Sequence, residues 1–201
     1  MRICFFGESY VNGVGDPTTQ GWVGRLCADA ISKGHQLTVY NCGIRGATST
    51  LVRDTWQAEA SARFKPGEKF AVVFSYGTND CWRENGQTQV SLETQIENTT
   101  AVLKAASAPW PTLFVGPPGL PGYADNTIRV SDHAERCVQT QKICSHLNVP
   151  YFDTLSVYDG FKQWHTEAKA GDGVHPGAGG YGEMAAALAL WAPWTSLFTA
   201  L

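Results

Sequence analysis

Four short polar stretches carry the residue types that acyl transfer requires, although they lie far apart in the chain. Ser9 follows an apolar run at the amino terminus, Gly43 and Asn79 follow two later apolar runs, and Asp172 precedes His175 by three positions. A serine hydroxyl is a weak nucleophile until an imidazole takes its proton. The imidazole in turn needs a carboxylate that fixes its tautomer and stabilises the imidazolium. These residue types therefore indicate a serine-dependent acyl transfer.

Acyl transfer also needs donors for the oxyanion of its tetrahedral intermediate. We expect the backbone N–H groups of Ser9 and Gly43 and the side-chain amide of Asn79 to supply them. Gly43 suits this role because a backbone without a Cβ can approach a ligand closely. Taken singly, Ser9 could be a helix N-cap, Asn79 a turn residue and His175 a structural histidine. Their combination favours the catalytic interpretation.

The elements that must bring these residues together are strands and helices in strict alternation. Apolar runs predict strands at 3–6, 37–40, 70–74, 112–115 and 149–152, with helical spacing between them and a final helix at about 178–191. This alternation predicts an α/β fold with a five-stranded parallel sheet of flavodoxin-like order 2-1-3-4-5, in a single domain over residues 1–201. Because parallel strands share a carboxyl edge, the polar residues that follow them should converge there.

The four stretches resemble, in order and spacing, the sequence blocks of the SGNH hydrolases, also called the GDSL esterase/lipase family. The blocks are Gly7-Glu8-Ser9, Asn41-Cys42-Gly43, Gly77-Thr78-Asn79-Asp80 and Asp172-Gly173-Val174-His175-Pro176. The resemblance implies a three-layer α/β/α sandwich. It also implies that Ser9 is the nucleophile, His175 the base and Asp172 the orienting carboxylate, with oxyanion donors at Ser9, Gly43 and Asn79. The first block usually reads Gly-Asp-Ser, so Glu8 is a departure from the family pattern.

The same resemblance implies a serine esterase that forms an acyl-enzyme on Ser9 and needs neither a metal nor an organic cofactor. Short connections leave no large lid, which favours short acyl or acetyl esters. Family members also act on lipids, thioesters and acetylated sugars, so lysophospholipase, thioesterase and sugar-deacetylase activities stay open. Tyr10, Trp82 and Tyr123 follow strand ends, and we expect them to wall the substrate pocket.

Three other classes of protein share part of this pattern. The general α/β-hydrolase elbow is Gly-x-Ser-x-Gly on a mid-chain strand, whereas Val11 stands at its last position here. A flavodoxin-like flavin- or nucleotide-binding module shares the fold, but Gly13-Val14-Gly15 lacks the third glycine of a dinucleotide fingerprint. The glycine-rich run 177–180 is similar to a phosphate loop but has no lysine. A silent interaction protein is disfavoured by the complete set of catalytic groups.

Composition restricts the partners and the location of the protein. A net charge of −3 and 16% charged residues give no sign of nucleic-acid binding. The longest apolar candidate, 184–191, is far shorter than the roughly 20 residues that span a membrane, and the first apolar run is too short for a signal peptide. Six cysteines without a Cys-x-x-Cys pair predict free thiols in the cytoplasm. The expected partner is a small-molecule ester, and the oligomeric state stays open.

Overall fold

The centre of the fold is a parallel β-sheet. The computed structural model describes residues 1–120 and 128–199. Its strands are β1 (Arg2–Gly7), β2 (Thr38–Gly43), β3 (Phe70–Ser75), β4 (Arg83–Glu84), β5 (Gln87–Thr88), β6 (Thr112–Val115) and β7 (Tyr151–Phe152). Five of them form the sheet in the order β2-β1-β3-β6-β7, and β4 and β5 form a separate antiparallel hairpin. The predicted order is therefore confirmed, because the hairpin lies outside the main sheet.

Helices cover both faces of the sheet and make the three-layer sandwich. They are α1 (Ser9–Asn12), α2 (Gly21–Ser32), α3 (Ser49–Arg63), α4 (Leu92–Ser107), α5 (Val130–His146), α6 (Thr154–Tyr158), α7 (Lys162–Ala170), α8 (Ala178–Ala189) and α9 (Ala192–Thr199). One core lies between the sheet and α2, α7, α8 and α9. The other lies between the sheet and α3, α4 and α5. No helix of the described residues is long and apolar enough to cross a membrane.

Strand β1 is apolar throughout because its side chains alternate between these two cores. Ile3 and Phe5 belong to the first core, where the Phe5 ring meets Trp22 of α2 edge-on at 5.7 Å between centroids. Phe6 points into the second core and meets Trp56 of α3 at 6.3 Å. The strand that carries Ser9 at its end is therefore fixed from both sides.

Several boundaries differ from the sequence prediction. The final predicted helix, at about 178–191, is α8, and a further helix, α9, follows it and buries Trp194 and Leu197 in the first core. The carboxyl-terminal segment through Thr199 thus folds back onto the sheet. Strand β2 extends to Gly43 instead of ending at residue 40. It lies at the edge of the sheet and is half-buried, so its polar residues gave no sign that the strand continued.

Helix α7 provides a carboxylate that caps helix α8. The Glu167 carboxylate accepts the backbone N–H groups of Gly177, Gly179 and Gly180 at 3.0, 3.0 and 2.7 Å. The first N–H groups of a helix have no partner within it, and an anion at that end is favourable. These N–H groups are therefore already bound to a carboxylate of the protein. The glycine-rich run 177–180 is thus explained by helix capping, and no phosphate ligand is needed to account for it.

Helix α8 in turn provides a carboxylate that caps α7. The Glu183 carboxylate accepts the N–H groups of Gln163 and Trp164, each at 3.0 Å. The two helices therefore cap each other at their amino-terminal ends. The loop 171–177 runs between them and carries Asp172 and His175, so this pair of helices sets the position of that loop.

Replacing Glu167 with Gln should lower the free energy of unfolding by about 1.5–3 kcal/mol, because a charged acceptor shared by three N–H groups is lost. Urea unfolding followed by circular dichroism measures the change. The control is Glu135→Gln on α5, an exposed residue without an ion pair in the described part of the chain, which should change stability by less than about 0.5 kcal/mol. Equal effects of the two substitutions would contradict the capping role.

Candidate active site

Ser9 stands where strand β1 meets helix α1. A Cβ at Gly7 would lie 1.8 Å from the carbonyl oxygen of Ser75 on strand β3, so only glycine fits this close approach. Ser9 is the first residue of α1 and is buried, with 6% of its surface exposed. Its backbone N–H therefore has no acceptor within the helix. The chain thus presents the hydroxyl and the N–H of Ser9 together at the carboxyl edge of the sheet.

The side chains of Ser9, His175 and Asp172 form one hydrogen-bonded series. His175 Nε2 lies 2.8 Å from Ser9 Oγ, and His175 Nδ1 lies 2.7 Å from Asp172 Oδ2. The other Asp172 oxygen accepts the N–H groups of Val174 and His175 at 2.9 and 2.8 Å. Burial opposes ionisation of Asp172, but these hydrogen bonds outweigh it and lower its pKa to about 2. A carboxylate facing Nδ1 favours the tautomer whose Nε2 can accept the Ser9 proton.

A cavity of about 270 Å³ opens beside this series. Two of the predicted pocket residues, Tyr10 and Trp82, line it, and the third, Tyr123, lies outside the described residues. The lining consists of Ser9, Tyr10, Arg45, Gly46, Thr78, Asn79, Trp82, Ile128, Asp172, Val174 and His175. A larger groove of about 1160 Å³ lies at the opposite edge of the sheet, where Phe70 and Thr112 begin their strands, and it contains none of the predicted site residues.

Tyr10 packs against His175 as well as lining the cavity. Its ring centroid lies 5.3 Å from that of His175 and 5.5 Å from that of Trp164 on α7. Tyr10 is 1% exposed and Trp164 is fully buried. The imidazole therefore rests on the aromatic core of the protein.

The structure contradicts the predicted placement of Gly43. The Gly43 N–H donates to Asn41 Oδ1 at 3.0 Å, and the Gly43 carbonyl oxygen accepts from Asn12 Nδ2 at 3.1 Å. A Cβ at Gly43 would lie 2.3 Å from the backbone nitrogen of Asn12. Gly43 thus needs to be glycine because it packs against α1, and its N–H does not face the cavity.

The glycine at the cavity is Gly46, three residues beyond Gly43. It lines the cavity, and its φ of +79° lies in the left-handed region that favours glycine. Within the described residues, its N–H has no hydrogen-bond acceptor. Strand β2 ends at Gly43 instead of residue 40, so the glycine that reaches the cavity lies three residues later than expected. The sequence signal that could have identified it is the second glycine after the predicted strand, in the turn Ile44-Arg45-Gly46.

Asn79 begins a 3₁₀ turn after β3 and is bound to Glu8. Glu8 Oε2 accepts the Asn79 backbone N–H at 3.2 Å and its Nδ2–H at 2.8 Å, while the Ala47 carbonyl accepts the other amide hydrogen at 3.0 Å. An oxyanion would therefore share one of these hydrogens. Burial raises the pKa of Glu8 to about 7, helped by the charge of Asp80 and opposed by the nearby polar groups of Thr78 and Asn79.

Comparison with known proteins identifies the family. The family model of the GDSL-like lipase/acylhydrolase family matches residues 5–182. The chain belongs to this family. The predicted SGNH/GDSL resemblance is therefore confirmed, and the chain is an ester hydrolase. A search of curated proteins finds no matching sequence. In the described residues, no group of three or more His, Cys, Asp or Glu side chains could hold a metal ion.

Solved structures share the fold of this GDSL-like chain over nearly its whole length. A lipase/acylhydrolase from Enterococcus faecalis has 23% identity and a TM-score of 0.72, covering 94% of this chain and 93% of its own. Axe2, an acetylxylan esterase from Geobacillus stearothermophilus, has 19% identity and a TM-score of 0.74, covering 96% and 93%. LAE5, an α/β hydrolase from the metagenome of Lake Arreo, has 18% identity and a TM-score of 0.75, covering 98% and 95%. At these identities the likeness establishes the fold.

Glu8 should make the stability of this GDSL-like protein depend on pH. Its pKa rises from 4.5 to about 7 on folding, so the folded state retains a proton that the unfolded state releases. The contribution is fully present below pH 4.5 and is lost as the pH rises through 7. Glu8→Gln should therefore gain stability relative to the wild type between pH 5 and pH 8, as measured by urea unfolding. Glu135→Gln is the control and should follow the wild type at every pH. If the free energies of unfolding of Glu8→Gln and the wild type change with pH in parallel, the prediction is refuted.

Proposed function

We propose that this chain is a serine esterase that hydrolyses carboxylic esters through an acyl-enzyme on Ser9. The observation that carries the proposal is the hydrogen-bonded series from Asp172 through His175 to Ser9, which ends at a cavity. Nucleophile, base and orienting carboxylate are the parts that this reaction needs. Membership of an acylhydrolase family supports the same reaction.

In the first step, Ser9 Oγ attacks the carbonyl carbon of the ester while its proton moves to His175 Nε2. The Asp172 carboxylate stabilises the imidazolium through Nδ1, and its pKa of about 2 keeps it ionised. The tetrahedral intermediate collapses when its bond to the alcohol oxygen breaks. His175 then gives the proton to the departing alcohol.

The oxyanion of that intermediate receives hydrogen bonds from three donors in this proposal. They are the N–H groups of Ser9 and Gly46 and the side-chain amide of Asn79, with Gly46 in place of Gly43. All three residues line the cavity, and removal of one such donor typically costs 10²–10³-fold in kcat. Deacylation repeats the sequence with water, which loses a proton to His175 and releases the acid from Ser9.

The proposed substrates are short-chain acyl esters, acetyl esters above all. A cavity of about 270 Å³ lies below the usual range of about 300–1,000 Å³ for pockets that bury drug-sized ligands. Such a volume suits a small acyl group better than the long chain of a lysophospholipid. Trp82 on the cavity wall supports an acetylated carbohydrate as a second candidate, because aromatic faces pack well on sugar rings. Axe2, a protein of the same fold, is an acetylxylan esterase.

We also propose that residues 1–201 act as one domain in the cytoplasm. The six cysteines are free thiols and five of them are buried, which supports a reducing compartment. The net charge of −3 supports a small-molecule substrate over a nucleic acid.

Loss of the proposed nucleophile or base should nearly abolish hydrolysis. We expect Ser9→Ala and His175→Ala each to lower kcat/KM for p-nitrophenyl acetate by at least about 10⁴-fold, because the two residues act as a unit. The controls are Ser145→Ala and His146→Ala, which remove the same groups from the exposed end of α5. Wild-type activity in Ser9→Ala would rule out the acyl-enzyme.

The size of the cavity predicts the order of preference among acyl chains. In a p-nitrophenyl series from acetate to octanoate, kcat/KM should be highest for the shortest chains and about tenfold or more lower for octanoate, since a cavity of 270 Å³ has room for the whole acetate ester but not for the whole octanoate ester. A maximum at octanoate would contradict the short-acyl proposal and leave the Ser9 mechanism standing.

A further inference from the structure

The side chain of Glu8 joins two parts of the candidate site. Glu8 precedes Ser9 in the chain, and one of its oxygens, Oε2, accepts both the backbone N–H and the side-chain N–H of Asn79. Glu8 is fully buried. A buried carboxyl group is costly to keep in a fold unless its contacts compensate.

The amide of Asn79 is held on its other side by the loop that carries Gly46. The carbonyl oxygen of Ala47, the next residue along, accepts the second Nδ2 hydrogen at 3.0 Å. The two acceptors of this amide thus belong to the residues adjacent to Ser9 and Gly46. The chain segments that carry the proposed donors Ser9 and Gly46 are therefore both hydrogen-bonded to the Asn79 amide.

We propose that Glu8 is a positioning residue that sets the orientation of the Asn79 amide for the developing oxyanion. The proposal rests on the esterase function proposed above. Two bonds to one oxygen, from the backbone and from the side chain of the same residue, fix the Asn79 side chain relative to its own main chain. Preorganised donors are effective because they need no rearrangement when charge develops.

Two substitutions of Glu8 can separate the effect of its charge from the effect of its hydrogen bonds, given the groups that surround it. Asp80 lies close enough for its charge to act on Glu8, and the polar groups of Thr78 lie beside the Glu8 carboxyl group. The Glu8 backbone N–H donates to the Ser75 carbonyl oxygen at 3.3 Å. An amide oxygen can accept the same two bonds as a carboxylate oxygen. Glu8→Gln therefore keeps the acceptor, whereas Glu8→Met keeps the length of the side chain and removes the acceptor.

The experiment compares these two neutral variants in p-nitrophenyl acetate hydrolysis, with and without Asn79→Ala. We expect Glu8→Met to lower kcat by about 10–100-fold with KM changed less than about threefold, and Glu8→Gln to lose far less. In the Asn79→Ala background, Glu8→Met should lower kcat less than about threefold, because its effect acts through Asn79. A loss that persists in full without the Asn79 amide, or an unchanged kcat in Glu8→Met, would overturn the proposal.

A second measurement does not depend on activity. The side-chain NH₂ signals of Asn79 in ¹H–¹⁵N spectra, assigned by their absence in Asn79→Ala, should move strongly in Glu8→Met and weakly in Glu8→Gln. Unmoved signals in Glu8→Met would also overturn the proposal. If Glu8→Met does not fold, Glu8→Ala replaces it, because it also removes the acceptor of the two Asn79 bonds.

The same set of proteins distinguishes the two proposals. If hydrolysis persists in Ser9→Ala, the esterase mechanism fails, while the NMR comparison still decides whether Glu8 orients Asn79. If hydrolysis depends on Ser9 but Glu8→Met matches the wild type in kcat and in the Asn79 signals, only the positioning role fails.

Discussion

At the carboxyl edge of the sheet, backbone N–H groups that have no partner within a strand or helix donate to side-chain carboxylates. The loops of the site depend on these hydrogen bonds. Strands and helices satisfy their own main chains, whereas the loops between them must find other acceptors. Each of five acidic side chains supplies one: Glu8 for Asn79, Asp16 for the turn into α2, Asp80 for the start of α3, Asp172 for its own loop and Glu167 for the start of α8. Asn79 and His175 of the candidate site each donate a backbone N–H to such a carboxylate.

The same carboxylates differ in how they respond to pH. Burial opposes ionisation of Asp16, but Arg25 and the N–H groups of Thr18 and Gly21 outweigh it and lower its pKa to about 2. Its contribution to stability is therefore present above pH 3.8 and is lost as the pH falls through 2. Glu8 has no cationic partner among the described residues, so burial dominates and its pKa rises. The carboxyl group that binds the Asn79 amide is thus one whose ionisation the fold opposes.

The sheet was predictable from the sequence because its strands are read from local runs, and parallel connections allow few orders. Ser9 and Asn79 follow strands that are buried on both faces, where an apolar run ends abruptly. Gly43 is the last residue of an edge strand that is half-buried, so composition did not mark the end of the strand, and the glycine that lines the cavity, Gly46, lies three residues later than expected. Contacts such as that of Glu167 with the start of α8 join separate helices, so no local sequence pattern predicts them.

The hydrogen bond between Ser9 and His175 joins residues that are 166 positions apart, and a single side chain explains why it forms. Tyr10 follows Ser9 directly and packs on both His175 and Trp164. Trp164 belongs to α7, whose first N–H groups are capped by Glu183 of α8. The proposed nucleophile and the loop of the proposed base therefore rest on one aromatic surface. A displacement of α7 against β1 would have to open that packed surface before it could separate the two groups, and dense cores resist such openings.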